Sequence, residues 1–91
     1  MKTILYFTAD WCHPCKKVRP IVDELNREQT EVKFQIIDVD DEMEMARMWN
    51  VSSIPTFVVI TYGTEKNRVT GAQTREQLEE LIRYEHTKNN N

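Results

Sequence analysis

The sequence predicts an α/β domain with the element order β-α-β-α-β-β-α, in which a mixed four-stranded sheet is flanked by helices. Three observations support this prediction. A continuous apolar run near the N-terminus is typical of a strand buried on both faces. Apolar residues then recur with helical spacing in segments that alternate with strand-like runs. Near the C-terminus, two β-like runs lie on either side of a glycine, which indicates a hairpin.

The first strand covers residues 3–8, and a helix follows Cys12. One face of this helix is formed by apolar residues at positions i, i+3, i+4 and i+7, namely Val18, Ile21, Val22 and Leu25. Pro20 lies inside this pattern, and because the periodicity continues beyond it, we expect a kink rather than the end of the helix. Residues 32–39 form the second strand, which a right-handed helical crossover places parallel to the first.

A short second helix is predicted from Asp41 to about Trp49. Asp41 and Glu44 have the spacing of a capping box, which would open this helix. Its inner face would be formed by Met45, Met48 and Trp49. We therefore expect these three side chains to pack against the sheet.

The last third of the chain predicts a hairpin and a final helix. Residues 56–62 are β-rich, Gly63 marks a turn, and residues 66–70 return as an antiparallel partner. Thr74 and Gln77 have the spacing of a second capping box. The helix that begins there would bury three apolar side chains, Leu78, Leu81 and Ile82.

The 91 residues leave room for one domain, which we assign to residues 1–88, followed by a polar tail at 89–91. Hydrophobic residues make up 40% and charged residues 30%, which excludes disordered and fibrous classes. The net charge of -3 argues against a nucleic-acid partner, which requires clustered positive charge. The apolar runs are too short for a membrane span or a signal peptide, so we expect a cytoplasmic monomer without membrane contact.

Cys12 and Cys15 are the only cysteines, and two residues separate them. A disulfide between them would close a tiny loop and would therefore stabilise the fold little. The pair is better explained by redox chemistry or by metal binding. Zinc requires four ligands, and the remaining soft candidates are His86, near the C-terminus, and His13, which cannot easily turn its ring to the same ion. Because too few ligands remain for a zinc site, redox chemistry is the favoured explanation.

The cysteines lie where the first strand ends and a helix begins, which suits thiol chemistry. The free N–H groups and the positive dipole end of a helix N-terminus favour the thiolate, which is the nucleophile. The i, i+3 spacing brings the two sulfurs together on one face. Pro14 falls in the first turn, where its missing N–H costs nothing. Its fixed φ stiffens the ring that a Cys12–Cys15 disulfide would close.

The segment Trp11-Cys12-His13-Pro14-Cys15 resembles the active-site motif of the thioredoxin family. The similarity extends to Ala9-Asp10, Lys16 and Pro20 around the motif, to Ile54-Pro55-Thr56, which is similar to the family's cis-proline segment, and to two glycines, Gly63 and Gly71. It covers essentially the whole chain, without the extra N-terminal strand and helix of full-length thioredoxins. The resemblance implies the thioredoxin-like fold and a cis bond before Pro55.

The resemblance also implies a function, the reduction of disulfides in target proteins. Cys12, exposed at the helix N-terminus, would attack the target disulfide, and Cys15 would resolve the mixed disulfide. A shallow apolar groove for an extended target segment would be formed by Trp11, Ile54, Pro55 and Gly71. A thioredoxin reductase-like partner would restore the dithiol with electrons from NADPH. The chain has no nucleotide motif, so no bound cofactor is expected beyond the Cys12–Cys15 disulfide.

Four residues depart from the pattern of the family. His13 stands where typical thioredoxins have glycine; either it tunes the redox potential together with Pro14, or it is a passive surface residue. Thr8 replaces a tryptophan. Tyr6 replaces the buried aspartate beneath the second cysteine, and Ile36 replaces its lysine partner. Cys15 would therefore lose its proton to water, to the departing thiolate or to a surface group such as Asp10.

Two other functional classes remain open. A glutaredoxin-like enzyme would be served by glutathione, and an oxidising protein would donate its disulfide to the target. A binding module would instead use the fold as a subunit of another enzyme. Reduction of insulin with a thioredoxin reductase or with glutathione as electron source distinguishes them.

Overall fold

The computed structural model describes residues 2–84. The elements along the chain are β1 (Lys2–Thr8), α1 (His13–Glu28), β2 (Val32–Asp38), α2 (Met43–Met48), β3 (Thr56–Thr61), β4 (Thr64–Thr70) and α3 (Arg75–Arg83). The strands form one mixed sheet in the order β2-β1-β3-β4. β1 pairs parallel to β2, whereas β3 pairs antiparallel to both β1 and β4. The predicted α/β fold and element order are confirmed; the predicted boundary at 88 and the tail lie outside the described residues.

The central strands β1 and β3 are buried on both faces of the sheet, because their side chains alternate between two apolar layers. Ile4 and Tyr6 pack with α1 and α3 on one face. Leu5 and Phe7 pack with α2 on the other face. β1 therefore reads as a continuous apolar run, as the sequence predicts for a central strand. No helix in the described range is long and apolar enough to cross a membrane.

α1 begins at His13 and runs through Pro20 without interruption. Its predicted apolar face is buried, apart from Ile21, which is partly buried against the same layer. At the start of α3, both hydrogen bonds of the predicted capping box are present: the Gln77 N–H donates to Thr74 Oγ1 at 3.1 Å, and the Thr74 N–H donates to Gln77 Oε1 at 2.8 Å. Of the three apolar side chains predicted to be buried by this helix, Leu78 and Leu81 are buried, whereas Ile82 is only partly buried against the same layer.

The predicted start of α2 is wrong. The backbone N–H groups of Asp41 and Glu42 donate to the Asp38 carbonyl oxygen at 3.1 and 2.9 Å, so these residues belong to a turn that closes β2. The helix begins at Met43, and no side chain caps its N-terminus. The Asp41–Glu44 capping box is therefore absent.

The predicted inner face of α2 is correct for Met45 and Trp49 but wrong for Met48. Met45, Ala46 and Trp49 pack against the sheet, whereas Met48 is 69% exposed. At about 100° per residue, Met45, Ala46 and Trp49 share one side of the helix, and Met48 points roughly 100° away from the centre of that side. Because Ala46 also lies on the buried side, the buried face of the helix is rotated relative to the face that the larger side chains alone predict.

The hairpin turn consists of Tyr62 and Gly63, with φ angles of 52° and 81°. Positive φ at both central residues is the geometry that matches the twist of a two-residue hairpin. Tyr62 adopts it without glycine, and its side chain is exposed. β4 begins at Thr64, directly after the turn and two residues earlier than predicted.

β2 lies at one edge of the sheet, and two side-chain amides cover part of that edge. The Asn26 amide donates to the Phe34 carbonyl oxygen at 3.0 Å and accepts from the Phe34 N–H at 2.9 Å. Gln29 makes the same pair of bonds with Val32, at 2.7 and 3.0 Å. The two amides thus satisfy backbone groups that an adjacent strand would otherwise pair, and they limit the exposed edge.

Candidate active site

Cys12 and Cys15 lie at the junction of β1 and α1, as predicted. Cys12 is the N-cap of the helix, and its Sγ accepts the backbone N–H of Cys15 at 3.2 Å. The two residues form a disulfide across one turn, with a Cα–Cα distance of 5.2 Å. His13 and Pro14 lie between them in the first helical turn, with His13 exposed to solvent. An N–H group aimed at Sγ stabilises negative charge there, so this geometry favours a Cys12 thiolate when the disulfide is reduced.

The expectation that Cys12 is exposed is wrong in the disulfide form. Cys12 is 4% exposed and Cys15 is 1% exposed. The two cysteines form a small apolar cluster with Ala9, and the side chains of Val39 and Ile54 pack against this cluster. Val39, directly after β2, and Ile54, before β3, cover the cysteines and account for their burial. The local sequence around the cysteines does not reveal these contacts.

Tyr6 lies beneath the disulfide. Its hydroxyl donates to the backbone carbonyl oxygen of Cys15 at 3.2 Å, and its ring stacks on Phe57 with a centroid distance of 4.8 Å. Burial raises the pKa of the Tyr6 phenol, and a hydrogen bond with Thr8 opposes that rise. A tyrosine at this position therefore anchors the first turn of α1 to the sheet, and it is a poor base near neutral pH.

A cavity of about 140 Å³ lies beside Cys15. Besides Cys15, its wall includes three apolar or small residues, Thr8, Ala9 and Ile36, and four charged ones, Asp10, Lys16, Arg19 and Asp38. Within residues 2–84 the buried polar side chains are Thr8 and Thr56, so no carboxylate in this range is buried under Cys15. The cavity is large enough for a few water molecules, and both carboxylates reach it from the surface.

A larger apolar groove of about 350 Å³ adjoins the disulfide, because two of its lining residues, Val39 and Ile54, also pack against the cysteines. Its lining comprises Trp11, Val39, Ala46, Val51, Ser52, Ser53 and Ile54. Trp11 is 64% exposed, and its indole Nε1–H donates to Asp40 Oδ2 at 2.8 Å, which fixes the ring over the groove. The lining is apolar with a few polar groups, which suits an extended peptide segment.

The structure brings together two of the four predicted groove residues, Trp11 and Ile54, in that lining. Pro55 is buried, and the Ile54–Pro55 peptide bond is cis. Gly71, with a φ angle of 97°, donates its N–H to the Pro55 carbonyl oxygen at 2.8 Å, so it lies against the segment that contains the cis bond. Neither Pro55 nor Gly71 is among the residues that line the groove. Sequence reasoning missed the residues from α2 and the following loop, because no local pattern connects them to Trp11.

The chain matches known proteins along almost all of its length. Residues 1–84 match the family described as Thioredoxin. The chain is 40% identical over 79 residues to Thioredoxin H2-1 of Oryza sativa subsp. japonica, covering 87% of this chain and 56% of the relative. It is 35% identical over 79 residues to a thioredoxin of Chlamydia caviae, covering 87% and 78% of the two chains. The chain thus spans little more than half the length of the rice protein.

A solved structure is similar to this chain over a comparable share of its length. The X-ray structure of Fasciola hepatica thioredoxin superposes with a TM-score of 0.84 at 37% identity, over 92% of this chain and 81% of that chain.

Proposed function

Because this chain belongs to the thioredoxin family, we propose that it is a thiol–disulfide oxidoreductase that reduces disulfides in target proteins. One observation carries the proposal: Cys12 and Cys15 form a disulfide across the first turn of a helix, beside an apolar groove. A disulfide in that position stabilises the fold little, but it is well placed to exchange with another disulfide.

The proposed reaction has two exchange steps. The Cys12 thiolate attacks one sulfur of the target disulfide, forms a mixed disulfide and releases the other target sulfur as a thiolate. The Cys15 thiolate then attacks Cys12 Sγ, which breaks the mixed disulfide and releases the second target thiolate. Two electrons pass from the dithiol to the target, and the protons lost by Cys12 and Cys15 balance those gained by the target thiols.

The roles of the two cysteines follow from their surroundings. Cys12 is the N-cap and directly follows Trp11, which lines the groove, so it is the proposed attacking thiol. Cys15 is the more deeply buried of the two, and its carbonyl oxygen accepts the Tyr6 hydroxyl, so it is the proposed resolving thiol. Since Tyr6 is a poor base, the Cys15 proton leaves to water in the adjacent cavity, to the departing thiolate or to a surface carboxylate such as Asp10. We therefore expect resolution to slow as pH falls.

The groove is the proposed site for the target. An extended segment would lie between Trp11 and the loop that carries Ile54, and the backbone near Pro55 and Gly71 would pair with it. A thioredoxin reductase-like partner would return electrons to the disulfide, so no other cofactor is needed. A reducing compartment such as the cytoplasm would keep the dithiol available, and we propose that the protein acts there as a monomer.

Insulin reduction tests the proposal, with thioredoxin reductase and NADPH in one arm and glutathione in the other. Turnover in the reductase arm alone supports the proposal, and turnover in the glutathione arm alone would identify a glutaredoxin-like enzyme. Activity in neither arm would identify a binding module.

The division of labour between the thiols needs its own measurement. A Cys15→Ser variant should accumulate a mixed disulfide with insulin, whereas a Cys12→Ser control should not. In the reduced wild-type protein, iodoacetamide should label Cys12 well before Cys15. Preferential labelling of Cys15, measured by mass spectrometry, would reverse the assignment.

A further inference from the structure

Arg68 links the edge strand β4 to the end of α2. Its Nη2 donates to the Trp49 carbonyl oxygen at 2.7 Å, and its Nη1 donates to the Asn50 carbonyl oxygen at 3.3 Å. The same guanidinium forms two bonds of 2.8 Å with the Glu65 carboxylate, through Nε and Nη2. One side chain thus bridges an acidic partner on its own strand and two backbone carbonyls of another element.

The two carbonyls that Arg68 binds lie at a helix C-terminus, where backbone oxygens lack helical partners. A guanidinium there satisfies them and interacts favourably with the helix dipole. Asn50 has a φ angle of 55°, so the chain reverses direction at this point in a conformation that only asparagine, aspartate and glycine adopt readily. Arg68 therefore holds the sharp bend that ends α2.

That bend leads directly into residues 51–54, which form one wall of the groove. The Val51 N–H donates to the Ala46 carbonyl oxygen at 2.9 Å, and the next residues, Ser52 to Ile54, line the groove opposite Trp11. Ser53 in turn accepts a hydrogen bond of 2.7 Å from the Thr56 hydroxyl at the start of β3. The wall is therefore fixed at its far end by β3 and at its near end by the Arg68 bonds.

We propose that Arg68 is a positioning residue for target binding, which sets the groove wall through the carbonyls of Trp49 and Asn50 without touching the target. The proposal rests on the proposed reduction of protein disulfides. Glu65 has a supporting role, because its carboxylate orients the Arg68 guanidinium. The thiol chemistry at Cys12 is independent of Arg68. Replacing Arg68 therefore affects the binding of a protein target more than the thiol–disulfide exchange step.

Kinetics on two substrates test this role. The variants are Arg68→Gln, Arg68→Lys and Glu65→Gln, and Arg83→Gln is the matched control, since it removes a cation from an exposed pair on α3. Insulin is the protein substrate, with electrons supplied by thioredoxin reductase and NADPH. The small substrate is 5,5′-dithiobis(2-nitrobenzoate), and its reaction is followed in a single turnover of the pre-reduced protein after the reductant has been removed. We expect Arg68→Gln to raise KM for insulin roughly three- to tenfold, the equivalent of about one ordinary hydrogen bond, with kcat and the small-substrate rate unchanged.

The other variants should fall in order. Lysine offers a single point charge and cannot hold both carbonyls and Glu65, so Arg68→Lys should give an intermediate KM. Glu65→Gln should give the smallest rise, and Arg83→Gln should match the wild type. An unchanged KM in Arg68→Gln, with only a lower Tm, would show that Arg68 stabilises the fold and does not position the groove.

Hydrogen exchange provides a readout that does not depend on activity. The Val51 amide is hydrogen-bonded at the bend, so its exchange should accelerate in Arg68→Gln while that of Leu5 in the central strand does not. Equal exchange at Val51 in both proteins would overturn the inference. If the wild type fails to reduce insulin while Val51 responds as expected, then the proposed function fails and the link between Arg68 and the loop stands.

Discussion

Replacing Asn26 with alanine removes the two hydrogen bonds that its amide makes with the backbone of Phe34 at the edge of β2. Each such bond contributes about 1 kcal/mol net, so their loss costs about 2 kcal/mol. Alanine is the better helix former by about 0.6 kcal/mol, which offsets part of that cost. The expected loss in the free energy of unfolding is therefore about 1–2 kcal/mol, equivalent to a fall in Tm of about 5–10 °C for a domain of this size.

Urea denaturation and amide exchange measure this effect. Lys17→Ala is the matched control, because Lys17 is exposed on the same helix and its replacement should change stability by less than about 0.5 kcal/mol. In Asn26→Ala, the Phe34 amide should exchange faster, while the Gln35 amide, which alternates toward β1, should keep its protection. Gln29→Ala should act in the same way at Val32, and the two losses should be nearly additive since they involve separate backbone groups.

Two results would refute this reasoning. Unchanged stability in Asn26→Ala would mean that water replaces the amide at no cost. Unchanged exchange at Phe34 would mean that the Asn26 amide does not protect the edge at all.

Three further predictions concern pH, potential and capping. The pKa of Tyr6 is raised above its usual value of 10.0 by burial, so the folded state keeps this proton longer than the unfolded state. Its contribution to stability is full below that value and is lost as pH rises through the folded pKa; in Tyr6→Phe, the alkaline fall in the free energy of unfolding should be smaller. The His13 imidazole beside Cys12 should favour the thiolate, so the wild-type disulfide should be more oxidising than that of His13→Gly; equal potentials against glutathione would make His13 a bystander. Thr74→Ala should destabilise the protein by about 1 kcal/mol in urea denaturation, whereas Thr74→Ser should not.

The elements that the sequence predicted well depend on short-range patterns. The helical face from Val18 to Leu25 and the capping box at Thr74 involve residues within two turns of one another, so their spacing is visible in the chain. The placement of Cys12 and Cys15 at a helix N-terminus follows from the same kind of pattern. Where a competing short-range contact exists, the prediction failed: the turn on the Asp38 carbonyl oxygen uses the backbone of Asp41 and displaces the start of α2.

The sequence by itself determined the fold class, the order of the elements and the redox pair, because periodicity, caps and the cysteine spacing are local. Tertiary structure alone decided the burial of Cys12 beneath Val39 and Ile54, the cover that Asn26 gives to the edge of β2, and the bond from Arg68 to Trp49. These contacts join elements that the sheet order and register bring together. A polar side chain can form hydrogen bonds with many backbone groups, and the sequence does not indicate which of them it will contact. The packing of strands and helices determines that partner.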